Sequence, residues 1–386
     1  MKNLFQIISI FITLTTSAGT LFAAPITLYS DVLISTEQVW GSVVSDFNND
    51  GRVDLFVEGH DASDRILYWS STGYVAGDMK FPPTDRHACT TADVNKDGLR
   101  DIYCALGADV GTGSKLNELW IQGPVGTFTA AVNHGAEDPF GRGRRPIFFN
   151  FNHDGNVDLY VTNWAILRQD GQPNYNHVYK GDGTGKFSEV ITIATGDQGS
   201  LCVAKGDINH DGWDDLLVCN KTGPSRMFVN TKLGNFYDLA LQTVGGKWLD
   251  AKLVDVNGDG WDDLVLITNT RILQVYLNTK TAPYYHSPIF EAALPNVPIR
   301  LAVGDFNNDR LKDIYVVLQD ADCMTTGHDL APDLVFFGQA NGSWIQKDLP
   351  QDYQGCGWLA DVVGNRVLLM QGGDWWSGPT YLLWMR

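Results

Sequence analysis

The sequence lacks the features of several large protein classes. It has almost no run with helical periodicity, and its 28 Lys and Arg are outnumbered by 45 Asp and Glu, giving a net charge of −17. Such an acidic chain repels nucleic acids and anionic membrane surfaces, so neither is an expected partner. Beyond the N-terminus no apolar run reaches the roughly 20 residues that span a bilayer. We therefore predict no transmembrane segment in the mature chain.

Motifs of common enzymes are also lacking. The sequence contains neither His-Glu-x-x-His nor Gly-x-Ser-x-Gly, and no Cys–His pair can be placed. The Gly-rich stretch Gly181–Lys186 is one residue short of a phosphate-binding loop, and no Ser or Thr follows Lys186. A hairpin turn explains it better. No enzyme activity is therefore predicted, although a polysaccharide lyase or hydrolase stays open as an alternative.

The first residues have the pattern of a secretory signal peptide. Lys2 precedes a mostly apolar stretch, residues 4–16, and small residues follow as far as Ala24. Because the stretch is short for a membrane anchor, we predict a signal peptide at residues 1–23 and a mature chain of residues 24–386. The expected location is extracellular or at the cell surface, or the periplasm in a Gram-negative host.

A nine-residue pattern, Asp-x-Asn-x-Asp-Gly-x-x-Asp, recurs along the chain. Copies begin at residues 46, 93, 150, 207, 255 and 305, and a degenerate seventh keeps only Asp361. Spacing near 50 residues is typical of propeller blades, which need four strands each. The sequence therefore predicts an all-β, seven-bladed β-propeller with four-stranded antiparallel blades. Tyr381–Arg386 would be the third strand of blade seven, and the N-terminal strand Ile26–Ser30 would complete that blade and close the ring.

The repeated loop has the chemistry of a calcium site. Oxygen side chains at positions 1, 3 and 5 converge, the backbone carbonyl of position 7 adds a ligand, and the position-9 Asp closes the sphere. Position 12 falls in strand-like runs, so the loop joins two strands rather than two helices. The acids at positions 1, 5 and 9 number 17, as many as the net negative charge. Polar turns without metal would explain one copy, but six copies favour five to six Ca²⁺ ions, one per blade in blades one to six. The predicted ligands are Asp46, Asn48, Asp50, Arg52 and Asp54; Asp93, Asn95, Asp97, Leu99 and Asp101; Asn150, Asn152, Asp154, Asn156 and Asp158; Asp207, Asn209, Asp211, Trp213 and Asp215; Asp255, Asn257, Asp259, Trp261 and Asp263; and Asp305, Asn307, Asp309, Leu311 and Asp313.

Two copies depart from the pattern. Asn150 replaces the first Asp, so the third site has one charge fewer and is expected to bind calcium more weakly. Arg310 replaces the turn glycine of the sixth loop, where a positive φ would strain a bulky residue. His153 and His210 at position 4 are expected to face solvent and to take no part in metal binding.

These loops resemble the FG-GAP/VCBS repeat family, which includes the head domain of integrin α subunits. The resemblance covers nearly the whole mature chain. A narrower likeness, to cartilage acidic protein and its bacterial relatives, rests on Gly141–Arg145, Asn117–Trp120 and Asp158–Trp164. The resemblance implies a calcium-stabilised propeller of secreted or cell-surface proteins that acts in adhesion and ligand recognition.

Six cysteines in an exported chain suggest three disulfides. Cys89 and Cys104 lie at equal distances from the centre of one acidic loop, and so do Cys202 and Cys219 from another. The two cysteines of each pair are therefore expected to lie opposite each other across the hairpin of the first two strands. Cys323 and Cys356 form the third predicted pair. Buried free thiols are the alternative.

The loops on the face opposite the calcium loops are predicted to bind a protein or glycan ligand, since functional residues concentrate in loops on a rigid scaffold. A sugar-binding lectin is an alternative, because 12 Trp and 14 Tyr could stack on sugar rings, although packing between blades explains them too. The residues that point to this face are Arg142, Arg144, Arg145, Trp164, Arg168, Trp375 and Trp376.

Overall fold

The computed structural model describes residues 28–33, 39–59, 63–71, 73–107, 115–164, 174–193, 199–220, 223–239, 247–319, 333–348, 358–363, 366–371 and 380–385. Within these ranges the chain forms seven four-stranded antiparallel sheets and a single turn of 3₁₀ helix at Pro124–Gly126. The predicted seven-bladed propeller is confirmed. The predicted signal peptide, residues 1–23, lies outside the described residues and stays a prediction.

Each of the first six blades consists of four consecutive strands, and the seventh combines strands from both ends of the chain. The strands are, for blade one, β2 (Val39–Ser45), β3 (Asp54–Gly59), β4 (Arg65–Ser70) and β5 (Gly73–Lys80); for blade two, β6 (Arg86–Ala92), β7 (Asp101–Leu106), β8 (Glu118–Gly123) and β9 (Thr127–Ala130); for blade three, β10 (Gly143–Phe149), β11 (Asp158–Asn163), β12 (Asn176–Gly181) and β13 (Phe187–Ile193); for blade four, β14 (Ser200–Gly206), β15 (Asp215–Asn220), β16 (Arg226–Asn230) and β17 (Phe236–Leu239); for blade five, β18 (Trp248–Val254), β19 (Asp263–Thr268), β20 (Ile272–Tyr276) and β21 (Phe290–Ala293); for blade six, β22 (Val297–Gly304), β23 (Asp313–Gln319), β24 (Leu334–Gly338) and β25 (Trp344–Asp348); and for blade seven, β26 (Trp358–Val363), β27 (Arg366–Gln371), β28 (Thr380–Met385) and β1 (Leu28–Leu33).

The N-terminal strand closes the ring. Strand β1 pairs antiparallel with β28, from Leu28 opposite Met385 to Leu33 opposite Thr380. The predicted closing strand is confirmed, and it extends beyond its predicted end at Ser30. The first strands of neighbouring blades contact one another all the way round, in the order β2, β6, β10, β14, β18, β22, β26 and back to β2. These strands therefore form the innermost layer, around a central channel.

The second strand of each blade is covered on both sides, which explains its composition. Strands β7, β11, β15 and β19 are buried along their whole length. Neighbouring sheets pack face to face through them: Phe56 of blade one shares a cluster with Ile102 of blade two, and Leu217 of blade four shares one with Leu264 of blade five. Buried apolar surface between blades is therefore the main force that holds the ring together.

Every innermost strand also contains an irregularity of register near its start. The shifts lie between residues 39 and 41, 86 and 88, 143 and 145, 200 and 202, 248 and 250, 298 and 300, and 359 and 362. Such bulges redirect side chains and recur beside functional sites. They place the redirected residues at the end of the channel away from the acidic loops. No helix in the described part of the chain is long and apolar enough to cross a membrane.

Candidate functional site: the acidic loops and the opposite face

The six acidic loops connect the first and second strands of blades one to six, and they share a backbone conformation. Position 6 has a positive φ in every copy: 81° at Gly51, 86° at Gly98, 80° at Gly155, 84° at Gly212, 84° at Gly260 and 73° at Arg310. A Cβ built on any of the five glycines meets nothing within 4 Å. The turn therefore requires glycine for its φ and not for space. Arg310 adopts the strained conformation that the sequence predicts.

The side-chain oxygens of positions 1, 3 and 5 gather inside each loop. In blade one, Asp46 accepts hydrogen bonds from the amides of Asp50 (3.0 Å) and Gly51 (2.8 Å), while Asn48 accepts a second bond from the Asp50 amide at 3.0 Å. Asp50 in turn accepts the Arg52 amide at 2.9 Å. The same bonds recur in blades two, four, five and six. The backbone thus directs these oxygens toward one another.

The loop of blade three differs at its first position. Asn150 has one side-chain oxygen, and it accepts the His153 amide at 2.9 Å. In the other five loops the carboxylate at this position bonds to the amides of positions 5 and 6. Positions 3 and 5 of blade three, Asn152 and Asp154, keep the common arrangement. The substitution therefore changes the first ligand position alone.

The Asp at position 9 has a structural task that the sequence did not suggest. Each copy is buried, and its two oxygens accept the amide of loop position 2 and an amide at the end of the third strand, at 2.7–3.0 Å. In blade one the donors are Phe47 and Trp69. Asp54 therefore joins the loop to two strands. A carboxylate has about four lone pairs, so its role as a metal ligand stays a prediction.

The acids of one loop also repel one another. Burial raises the pKa of Asp215 to about 7, and the charges of Asp211 and Asp207 act in the same direction. Burial likewise raises the pKa of Asp101 to about 6, with Asp97 and Asp93 adding to it. A cation among these oxygens would relieve the repulsion.

The donors fit calcium in chemical type. Each loop offers carboxylate, amide and carbonyl oxygens, the hard ligands that calcium prefers. In the described ranges, no three His, Cys, Asp or Glu side chains are gathered closely enough to hold a metal ion by themselves, so the amide and carbonyl oxygens would have to complete each site. Lysines of the same blade lie near three position-5 carboxylates: Lys180 at 3.0 Å from Asp154, Lys232 at 3.2 Å from Asp211, and Lys280 at 3.1 Å from Asp259. These lysines neutralise part of the loop charge in blades three to five.

Ring stacking connects neighbouring loops, which sequence reasoning missed. His153 of blade three stacks on Trp213 of blade four, with centroids 4.0 Å apart and planes at 6°. His210 of blade four stacks on Trp261 of blade five at 4.7 Å and 24°. The two histidines are exposed, as predicted, but each forms part of a contact between blades. In both stacks a His at position 4 of one copy meets a Trp at position 7 of the next copy. That recurrence in the sequence could have predicted the contact.

Hydrogen bonds reinforce the same junctions. Asp214 of blade four accepts the Asn150 amide of blade three at 2.9 Å, and Asp262 of blade five accepts the Asp207 amide of blade four at 2.8 Å. Both acceptors stand at position 8 of their loops. The acidic face is therefore a connected layer between blades three and five.

Two of the three predicted disulfides are present. Cys89 bonds to Cys104 and Cys202 to Cys219, with Cα atoms 4.0 and 4.9 Å apart. Each pair lies directly opposite in the register of the first two strands, as the spacing predicted. Cys323 and Cys356 lie outside the described residues.

The opposite face carries a cluster of basic and aromatic side chains. The guanidinium carbons of Arg142 and Arg144 lie 4.7 and 5.7 Å from the ring centroid of Trp164. The sequence pointed to all three residues. Arg168, Trp375 and Trp376 lie outside the described ranges.

A buried ion network at the same end of blade two was not predicted. Arg86 contacts Asp64 of blade one at 2.8 Å and Glu118 at 2.7 Å, and its side chain is fully buried. Removing one partner of such a network would leave a buried charge unpaired. The network therefore fixes the junction of blades one and two beneath this face.

Comparisons with known proteins agree with the fold. A family model described as the FG-GAP-like repeat matches residues 46–104, 150–218 and 255–316. No curated protein has a matching sequence.

Several solved structures share the architecture. BBS1N in complex with ARL6DN is 13% identical with a TM-score of 0.58, covering 92% of this chain and 95% of that one. A catalytically inactive virginiamycin B lyase from Staphylococcus aureus with quinupristin is 12% identical with a TM-score of 0.56, covering 93% and 99%. YCF48 bound to D1 peptide is 7% identical with a TM-score of 0.56, covering 92% and 94%. At these identities the likeness shows the fold alone. The repeats and the ring of sheets together show that the chain belongs to the β-propeller proteins built from FG-GAP-like repeats.

Proposed function

We propose that this protein is a secreted or cell-surface propeller that binds calcium in its acidic loops and recognises a protein ligand with the opposite face. The observation that carries the proposal is the separation of the two faces. Repeated oxygen-rich loops, tied into the sheets by buried acids, occupy one face. Basic and aromatic side chains occupy the other. This arrangement suits adhesion or ligand recognition, with calcium in a structural role.

Calcium binding is supported by the charge and the donors of the loops. The ion would be held by the oxygens of positions 1, 3, 5 and 9 and the carbonyl of position 7, and it would supply positive charge where acids repel. The position-9 Asp links each loop to two strands, so binding would also stabilise the blade. Five to six ions are expected, with blade three weakened by Asn150 and blade six by the strain at Arg310.

Calorimetric titration of calcium into chelator-treated protein tests this part. We expect five to six sites and a melting temperature that rises with calcium. Asp97→Asn should remove one site, whereas Asp182→Asn, in an acidic turn outside the six loops, should remove none. Absence of calcium uptake, together with a melting temperature unchanged by chelator, would contradict the proposal.

A protein ligand has more support than a glycan. Trp120, Trp248 and Trp344 are buried, so they are not available to stack on a sugar ring. Trp213 and Trp261 stack on histidines, and Trp164 is covered by arginines. Among the similar propellers, BBS1N is in complex with ARL6DN and YCF48 is bound to D1 peptide. Export is supported by the two disulfides, which are typical of oxidising compartments.

Binding of the labelled protein to cell surfaces distinguishes the ligands. Protease treatment of the cells should abolish binding, and enzymatic removal of glycans should leave it unchanged. The reverse result would favour the lectin alternative. Binding to cells should need calcium only because the folded state of the propeller needs it.

A further inference from the structure

Arginines at the bulges of two innermost strands stand on opposite sides of the central channel. Arg144 and Arg145 lie at the bulge of β10 in blade three, and Arg300 lies at the bulge of β22 in blade six. Blades four and five separate these strands, so the strands themselves do not touch. Contact between their side chains is possible only across the channel.

The electrostatics agree with this placement. Burial lowers the pKa of Arg300 to about 9, and the charges of Arg145 and Arg144 lower it in the same sense. Burial also lowers the pKa of Arg144 to about 10, with Arg145 and Arg142 contributing. Like charge therefore acts between these arginines across the channel.

Within the described ranges, few acids compensate for this charge. Asp250 of blade five lies between the two sides: its carboxylate accepts the Leu301 amide at 3.1 Å, and Arg145 and Arg300 both act on it. Glu58 already accepts the Cys89 amide at 2.9 Å. The groups that act on this cluster within the described ranges are the cations Arg142, Arg144, Arg145, Lys252 and Arg300 and the acids Glu58, Asp85 and Asp250. Among the described residues that act on this cluster, five cations outnumber three acids, although the net charge of the chain is −17.

One donor of the cluster has no acceptor in the described part of the chain. The Nε atom of Arg145 is buried, and no described residue accepts a hydrogen bond from it. A buried donor without an acceptor is unfavourable, so an acceptor supplied by a ligand would stabilise it. A carboxylate matches the planar fork of a guanidinium group with two parallel hydrogen bonds.

We propose that Arg144, Arg145 and Arg300, here called the channel arginines, bind a carboxylate of an acidic peptide segment belonging to a partner protein. The inference rests on the proposed function, in that the face opposite the acidic loops is the recognition surface, and it specifies the chemistry of the ligand. The negative charge of the rest of the molecule favours a short acidic segment over an extended polyanion. Trp164 with Arg142 extends the same surface next to Arg144.

Fluorescence anisotropy with a fluorescein-labelled hexaglutamate peptide at low salt tests the proposal. The wild-type protein should bind it, and added salt should weaken binding. Arg300→Gln should weaken binding about tenfold, because a hydrogen bond to a charged group is worth at least that factor. Arg144→Gln provides the same test if Arg300→Gln does not fold. Arg100→Gln, on the acidic-loop face, removes an equal charge as the matched control and should leave the affinity unchanged.

Three results would overturn the inference: no binding of hexaglutamate, equal weakening by Arg100→Gln, or tighter binding of an oligogalacturonate, which would make the carboxylate a sugar acid. Calcium titration and the protease-treated cells test the proposed function without this peptide. A propeller that binds calcium and a cell-surface protein but not hexaglutamate would refute only the inference.

Discussion

Arg310 offers a direct measurement of backbone strain in one acidic loop. Its φ of 73° lies in the left-handed region, where a side chain costs about 1–2 kcal/mol. Its amide bonds to Asp305 at 2.8 Å, and glycine would keep that bond. Arg310→Gly also gives the unfolded chain more freedom, which offsets about 0.4–1 kcal/mol. We therefore expect a net gain of about 0.5–1 kcal/mol in the free energy of unfolding.

The reverse substitution in blade five is the matched control. Gly260 has a φ of 84°, and nothing lies within 4 Å of a Cβ built there. Gly260→Arg should therefore destabilise the protein by about the amount that Arg310→Gly stabilises it. Urea unfolding in saturating calcium is the assay, because the expected shift in melting temperature for a domain this large is only about 1 °C. The reasoning fails if both substitutions change stability in the same direction, or if Arg310→Gly destabilises.

Three further predictions concern other parts of the ring. Asn150→Asp should restore the first carboxylate of blade three and tighten that calcium site alone, because ligand charge sets affinity, and an unchanged calorimetric isotherm would count against it. Burial raises the pKa of Asp333 from 3.8 to about 7, so the folded protein holds a proton there that the unfolded chain releases above about pH 4. The free energy of unfolding should therefore fall as pH rises from about 4 to 7. Asp333→Asn keeps an acceptor for the Tyr315 hydroxyl and should reduce that fall, as measured by urea midpoints at acidic and neutral pH. An unaltered pH profile would refute the raised pKa of Asp333. Trp213→Ala should lower the free energy of unfolding by about 1 kcal/mol, and a double-mutant cycle with His153→Ala should give a coupling near 0.5 kcal/mol, whereas strict additivity would show that the stack contributes nothing.

Much of the fold could be predicted because its determinants are local and repeated. The loop pattern gave the number of blades, and the symmetric positions of Cys89 and Cys104 about one loop gave a disulfide. The closing strand followed from the need to leave no open edge, and it pairs with β28 as expected. These inferences need only hairpin geometry and counting.

The contacts that were not predicted from the sequence join residues that are distant along the chain. The bond from Trp69 to Asp54 joins two strands of one blade, and the stack of His153 on Trp213 joins two blades. The electrostatic coupling of Arg144 to Arg300 depends on the whole ring, because the two residues belong to blades on opposite sides of the channel. The loop pattern predicts which positions would bind calcium, but it could not show that the Asp at position 9 also holds the hairpin to the third strand.

The two faces are mechanically related through the innermost strands. In blades one to six, each first strand begins at the bulge opposite the acidic loops and ends at an acidic loop, and the position-9 Asp joins that loop to the second and third strands. Repulsion within the loops would therefore be transmitted to the same strands that hold Arg144 and Arg300 in register across the channel. A cation in the loops would lower this repulsion and fix the blades, and the closed ring would in turn fix the distance between arginines that no local contact sets. In this arrangement calcium would need no contact with the ligand to support its recognition, because it would act by keeping seven sheets in one ring.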